Sequence, residues 1–205
     1  MVVNIYRVTG GGDPRRVKVK EFIEYGVHVY ELTKEVNSVL YVTKDGKSSI
    51  LNKKKDVETA NTLFVSSLKE AFDEVFRKIH TAIDDVNDTV REILLWRPDN
   101  PDVELLYRVK FRKERFSLAG FLVTGRTKNA VKIDARGRKY VYRQHLAGLG
   151  QPHDPLIPFE DWMDTDLRRL KDSVLTYATA RMDYLYERLD QLERQYDELK
   201  RKGFK

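Results

Sequence analysis

Between Val2 and Thr43 apolar residues alternate with polar ones at period two, in the stretches "VVNIYRV", "RVKVKEFI", "VHVYEL" and "SVLYVT". Alternation of this kind, rich in β-branched and aromatic residues, predicts strands with one buried face. The separators Gly10-Gly11-Gly12-Asp13-Pro14, Tyr25-Gly26, Glu35 to Asn37 and Asp45-Gly46 carry turn chemistry. The simplest arrangement is an antiparallel meander of about four strands.

At Asp56, a plausible N-cap, the period changes. Val65, Leu68, Phe72, Val75, Ile79, Ala82, Val86, Thr89, Ile93 and Trp96 follow at alternating spacings of three and four, as in a heptad seam. Pro98 pushes Arg97 out of helical geometry and ends the run. A helix of about 40 residues, roughly 60 Å long, is expected. Period-two stretches then return as "VELLYRVKFR", "FSLAGFLVTG", "NAVKIDA" and "KYVYRQHL". After the Gly- and Pro-rich "AGLGQPHDPLIP", a second long helix is expected to open between Phe159 and Trp162. Its seam is Leu175, Ala178, Met182, Leu185, Leu189, Leu192, Tyr196 and Leu199. Glu160, Asp161, Asp164 and Asp166 suit the positive end of its dipole. Lys200, Arg201 and Lys202 suit the other end, and Gly203 is placed as a C′ residue.

The expected fold class is therefore α+β: two small antiparallel β-sheets, each followed by a long heptad-patterned, coiled-coil-like α-helix. The chain divides into a basic β-meander over 1–56, a long amphipathic helix over 57–97, a strongly basic sheet segment over 98–150, and a loop with the C-terminal helix over 151–205. "IYRV" at Ile5 to Val8 and "LYRV" at Leu106 to Val109 open the two strand sets 101 residues apart, and the helices follow at about the same offset. A duplicated unit would give this, as would two unrelated strand-plus-helix segments.

Composition narrows the chemistry. Zero cysteines among 205 residues exclude a disulfide framework, thiolate metal sites and cysteine nucleophiles. No apolar run reaches the roughly 18 residues of a spanning helix, and no signal core opens the chain, so a soluble protein, intracellular or particle-associated, is expected. The 34% charged fraction, with Tyr in excess of Phe, is compatible with a thermophilic source. The net charge of +6 is unevenly laid out: +4 over 1–56, −5 over 57–103, +9 over 104–150 and −2 over 151–205.

Catalytic constellations are weak. "VTGGGDPRR" leads into a period-two stretch, not into the helix that a phosphate loop requires. His28, His80, His145 and His153 lack metal-ligand spacing; His145, His153 and Asp154 share one loop, where ordinary hydrogen bonding is the simpler reading. The Glu160 to Asp166 acids could mimic a magnesium cluster, which would make a metal-dependent nuclease, but helix-start electrostatics explains them more simply. No cofactor, metal or catalytic residue is assigned, and a non-enzymatic role is expected.

The stronger signals are seams and charge. The seam residues Val65, Leu68, Phe72, Val75, Ile79, Val86, Ile93, Met182, Leu185, Leu189, Leu192, Tyr196 and Leu199 could pair within one chain or carry self-association. The leading expectation is a structural or assembly protein, a homo-oligomer or subunit of a larger assembly such as a virion, tail or filament, in which basic sheets meet acidic helices. The alternative is nucleic-acid binding, to DNA or RNA, through Arg108, Lys110, Arg112, Lys132, Arg136, Arg138, Lys139, Tyr140, Tyr142 and Arg143, with the helices dimerising the chain. Cations would hold phosphates there and tyrosine rings would stack on bases.

Overall fold

A computed structural model describes residues 3–11, 25–54, 62–100, 102–112, 115–127, 130–143 and 162–205. Ten strands and two helices are described: β1 (Val3–Thr9), β2 (Gly26–Val36), β3 (Val39–Lys44), β4 (Lys47–Asn52), β5 (Leu63–Val65), α1 (Leu68–Leu95), β6 (Leu105–Arg112), β7 (Arg115–Thr127), β8 (Ala130–Ala135), β9 (Arg138–Arg143), β10 (Trp162–Asp164) and α2 (Leu167–Arg201). They build two antiparallel five-stranded sheets in the orders β4-β3-β2-β1-β5 and β9-β8-β7-β6-β10. The α+β class expected from periodicity holds.

The two sheets share one topology down to local irregularities. Each is a four-strand meander whose fifth strand returns to the free side of the first. In each, the pairing of the second strand with the third skips one residue, and in both cases it is a threonine, Thr33 or Thr124. The bulge bends the strand at that point. The third and fourth strands turn on Asp45-Gly46 and on Arg136-Gly137, all four at positive φ (50°, 75°, 55° and 79°). That is the two-residue hairpin geometry that matches strand twist and favours glycine at the second position. Two residues beyond the fifth strand stands the N-cap. Ser67 Oγ accepts from Glu70 N at 3.4 Å, and Asp166 Oδ1 accepts from Arg168 N at 2.9 Å and Arg169 N at 3.2 Å.

These caps correct the expected helix starts. α1 begins at Leu68 rather than after Asp56, and α2 at Leu167 rather than at 159–162, because Leu63–Val65 and Trp162–Asp164 are strands. Three residues are too few to show a period; long-range pairing with β1 and β6 defines them. β4, with its polar "KSSI", was not expected, and "RVKVKEFI" lies outside the described residues. At the C-terminus Gly203, at φ 83°, donates to Lys200 O and Phe204 N donates to Leu199 O, the paired bonds of a Schellman cap, as Gly203 suggested.

Compactness cuts across the sequential segments. One unit comprises Met1–Asp84 with Asp183–Lys205, the other Asp85–Met182, so each holds one sheet and a part of both helices. In the first unit, Tyr6 Oη donates to Lys205 O (3.0 Å), Leu68 N donates to the same carbonyl (2.9 Å), and the Phe72 and Tyr196 rings lie 5.0 Å apart. In the second, Val109, Tyr107 and Leu118 of the sheet pack with Ile93 of α1 and Leu170, Val174 and Tyr177 of α2. Lys171 Nζ donates to Leu94 O (3.0 Å) and Trp96 O (2.8 Å), capping the end of α1. Burial, with Arg97 beside it, holds the Lys171 ammonium below the usual lysine range.

Candidate nucleic-acid interface

The register of the second sheet sorts its residues between two faces, because strand side chains alternate. Val109, Leu118, Leu122, Lys132 and Lys139 share the helix-side face. Leu106, Arg108, Lys110, Ser117, Ala119, Phe121, Val123, Val131, Ile133, Ala135 and Arg138 share the other, and by backbone register positions 112, 140 and 142 belong there too. Position 143 falls on the helix-side face, and Arg136 stands exposed in the turn. The sheet thus brings together Arg108, Lys110 and Arg138 and separates them from Lys132 and Lys139; the side chains of Arg112, Tyr140, Tyr142 and Arg143 lie outside the described residues.

This face has two zones. Around β6 and the β8–β9 turn it is polar and open: Ser117, Ala119 and Arg138 are exposed, and Arg108 and Lys110 are half-buried. Towards the other ends of the strands Leu106, Val131 and Ile133 are buried, with Phe121, Val123, Ala135 and Met163 packed against them. Arg126, exposed beside Val131, is ion-paired with Glu104. A row of cations beside an apolar floor follows from a strand whose one face reads Leu106, Arg108, Lys110.

The first unit repeats the backbone of this face with other side chains. Ile5, Leu40 and Val42 are buried there, at the positions of Leu106, Val131 and Ile133, with Tyr30, Leu32 and Phe64 against them at the positions of Phe121, Val123 and Met163. In the zone that is open in the second unit, Arg7 matches Arg108, but Thr9, Gly26 and His28 take the places of Lys110, Ser117 and Ala119, and Thr9 and Gly26 are buried. Sequence reading weighed His28 only as a metal ligand and did not single out Arg7 or Arg188. No spacing links them, since they come from three separate elements.

The seam residues occupy the chain's own interior. Leu68, Phe72, Val75, Ile79, Val86, Ile93, Leu185 and Leu192 are buried on the helices, and Val65 is buried in β5. Met182, Leu189, Tyr196 and Leu199 are half-buried. In the first half of α2 the buried stripe runs through Leu170, Val174, Tyr177, Ala178 and Arg181, off the expected Leu175 and Met182. Apolar exposure lies elsewhere, at Ile50 (65%) and Leu95 (71%) above all.

Within the first unit Lys78 is half-buried, its Nζ donating to Gly10 O at 3.2 Å; burial lowers its ammonium, against the opposing pull of Glu74. Burial raises the Tyr6 phenol. Asp164 and Asp166 serve the start of α2, Asp164 also pairing with Arg169 at 3.2 Å; His145, His153, Asp154, Glu160 and Asp161 lie outside the described residues. Among the described residues no group of three His, Asp or Glu side chains could hold a metal ion, and no helix is long and apolar enough to cross a membrane. Comparison of the chain with protein-family models, with curated proteins and with solved structures finds no match.

Proposed function

We propose that the protein binds nucleic acid through the second sheet, on the face that carries Arg108, Lys110 and Arg138. The observation that carries this reading is the register. Of the cations on the basic strands it gathers these on one face, where phosphates would meet charge, with Ser117 and Ala119 exposed beside them; by backbone register the tyrosine positions 140 and 142 fall on the same face. The role is one of binding rather than catalysis. The +9 charge of the 104–150 segment supplies the long-range attraction.

Fluorescence anisotropy with oligonucleotides across a salt series tests it. Lys110→Ala with Arg138→Ala is expected to weaken binding and to flatten the log–log salt dependence by about 0.7–0.9 for each phosphate that the protein no longer neutralises. Lys132→Ala with Lys139→Ala, on the opposite face, is expected to change the slope less. Equal effects from the two pairs, or no binding at low salt, would remove this reading.

A self-associating assembly protein is the second reading. Burial of the seams within the chain takes away the helical surface that first suggested it, and exposed Leu94, Leu95 and Leu122 in the second unit carry it instead. Light scattering across concentration decides between a monomer and an assembly. We also infer that the chain descends from a duplicated strand–helix unit. The shared strand order, the threonine bulges, the paired turns and the N-caps at matching positions support this, beyond the "YRV" likeness in sequence.

A further inference from the structure

The pairing of β2 with β3 stops at Glu31 and Thr43, so Gly26 to Tyr30 have β1 on one side and, among the described strands, none on the other. Hydrogen bonds fix which main-chain groups look outward there. Lys53 N donates to Ser38 O at 2.9 Å, and alternation along β3 then turns Leu40, Val42 and Lys44 towards β4 and Thr43 towards β2. Glu31, opposite Thr43, therefore faces away from β1, and by the same alternation so do Val29 and Val27. Side chains of α2 take the place of a strand at the far end: Arg188 Nε donates to Tyr25 O at 2.6 Å and Gln195 Nε2 to Val27 O at 3.1 Å. Val29 turns its N–H and C=O into a groove of about 590 Å³, and among the described residues no hydrogen bond reaches them from that side.

From this geometry we propose that β2 takes up an extended peptide segment of another protein as an added strand in line with β3, with an apolar residue opposite Val29 and an acidic residue on each side of it. A strand edge binds a peptide through main-chain bonds and reads its alternate side chains. The two flanks of the groove differ in chemistry. Val29 shares the face of Tyr6, whose hydroxyl bonds Lys205 O, and on that flank Leu199 and Phe204 line the groove and suit an apolar side chain. Tyr30 and Gly26 lie on the other face; there Lys44 Nζ stands 5.7 Å over the Tyr30 ring and Arg188 packs against Gly26. The residues on either side of the apolar one turn to that face, where carboxylates accept charge-assisted bonds from Lys44 and Arg188. Of the acids that line the groove, Glu31 is on the Val29 face and Asp45 stands in the turn. β3 cannot fill the place itself, because Asp45 and Gly46, at φ 50° and 75°, turn the chain away into β4.

Titration of the full chain with a synthetic peptide, Thr-Glu-Val-Glu-Thr with blocked ends, tests the proposal through the amide NMR signal of Val29 and its hydrogen exchange. The peptide is expected to move that signal and, at saturation, to slow its exchange about tenfold or more. Methylating the peptide's central nitrogen removes the N–H that would donate to Val29 O, and is expected to weaken binding about tenfold. A third peptide with Lys in place of both Glu residues is expected to bind more weakly than the first, and Lys44→Glu in the protein to narrow or reverse that preference while the far-ultraviolet spectrum is unchanged. Lys110→Ala with Arg138→Ala is expected to leave peptide binding intact, so that the fate of the second-sheet interface is read separately. An unmoved Val29 signal, equal affinity for the three peptides, or displacement of the peptide from that double variant by an oligonucleotide would overturn the site.

Discussion

The two units have the same strand order, the same bulge, the same turn and the same helix start, yet one matched zone of their sheets differs in kind. In the second unit the zone is a row of cations, Arg108 and Lys110, beside small exposed Ser117 and Ala119. In the first, Thr9, Gly26 and His28 stand at the matching positions, and Arg188 of α2 packs closely against Gly26. The shared parts are those that backbone geometry enforces: positive φ at the hairpin, capped amides at the helix, apolar contacts at matched register. The parts that differ are side chains: Ser117 and Ala119, exposed in the second unit, against Thr9 and Gly26, buried in the first.

The helix cores sharpen that contrast most. Ala71 and Leu170 stand four residues after their N-caps, Ser67 and Asp166, and both are fully buried. Leu170→Ala is expected to lose about 3 kcal/mol in urea unfolding, and the reciprocal Ala71→Leu about 1–3 kcal/mol through overpacking. A loss below about 0.5 kcal/mol from either would show that matched position does not mean matched packing.

Smaller effects are expected at the caps. Asp166→Ala removes an acceptor of two amide bonds and a carboxylate at the helix start, and is expected to cost about 1–2 kcal/mol; Ser67→Ala, with one bond of 3.4 Å, about 0.5 kcal/mol. The reverse order in thermal melts would break the proposed equivalence of the two helix starts.

The smallest effect belongs to one unit alone. Arg77 donates from Nε and Nη2 to Glu74 at 2.8 and 2.7 Å, and these hydrogen bonds hold the Glu74 carboxyl below the usual glutamate range. The matched positions on α2 are Ser173 and Thr176, whose hydroxyls bond back to the helix carbonyls of Arg169 and Asp172. A carboxyl lowered by folding contributes stability that is present above its unfolded pKa of about 4.3 and is lost as pH falls through the folded value. Because Arg77 is largely exposed, screening limits the pair to about 0.5 kcal/mol. Arg77→Ala is expected to lose that much at neutral pH and nothing in acid; an equal loss at both would assign the effect to packing.

Much of the fold was legible in the chain. Alternation marked β1, β2, β3 and β6 to β9, the Asp45-Gly46 dipeptide marked the turn after β3, and Gly203 marked the end of α2. The strands β5 and β10 were not legible, because three residues carry no period and exist through partners more than fifty residues away. For the candidate interface, parity within β6 and within β9 was readable, so Arg108 with Lys110 and Tyr140 with Tyr142 could each be grouped. Whether those groups share a face could not be read, since the bulge at Thr124 sets how the parity of β7 carries over to β8.

Sequence by itself determined the local elements and their charge, because period, turn residues and caps act within a few positions of one another. Only the tertiary structure decided that the helical seams are buried inside the chain, that the basic strands divide their cations between two faces, and that Arg188 packs closely against Gly26. Each of these depends on distant segments meeting at a fixed register, where one residue of slip exchanges the faces.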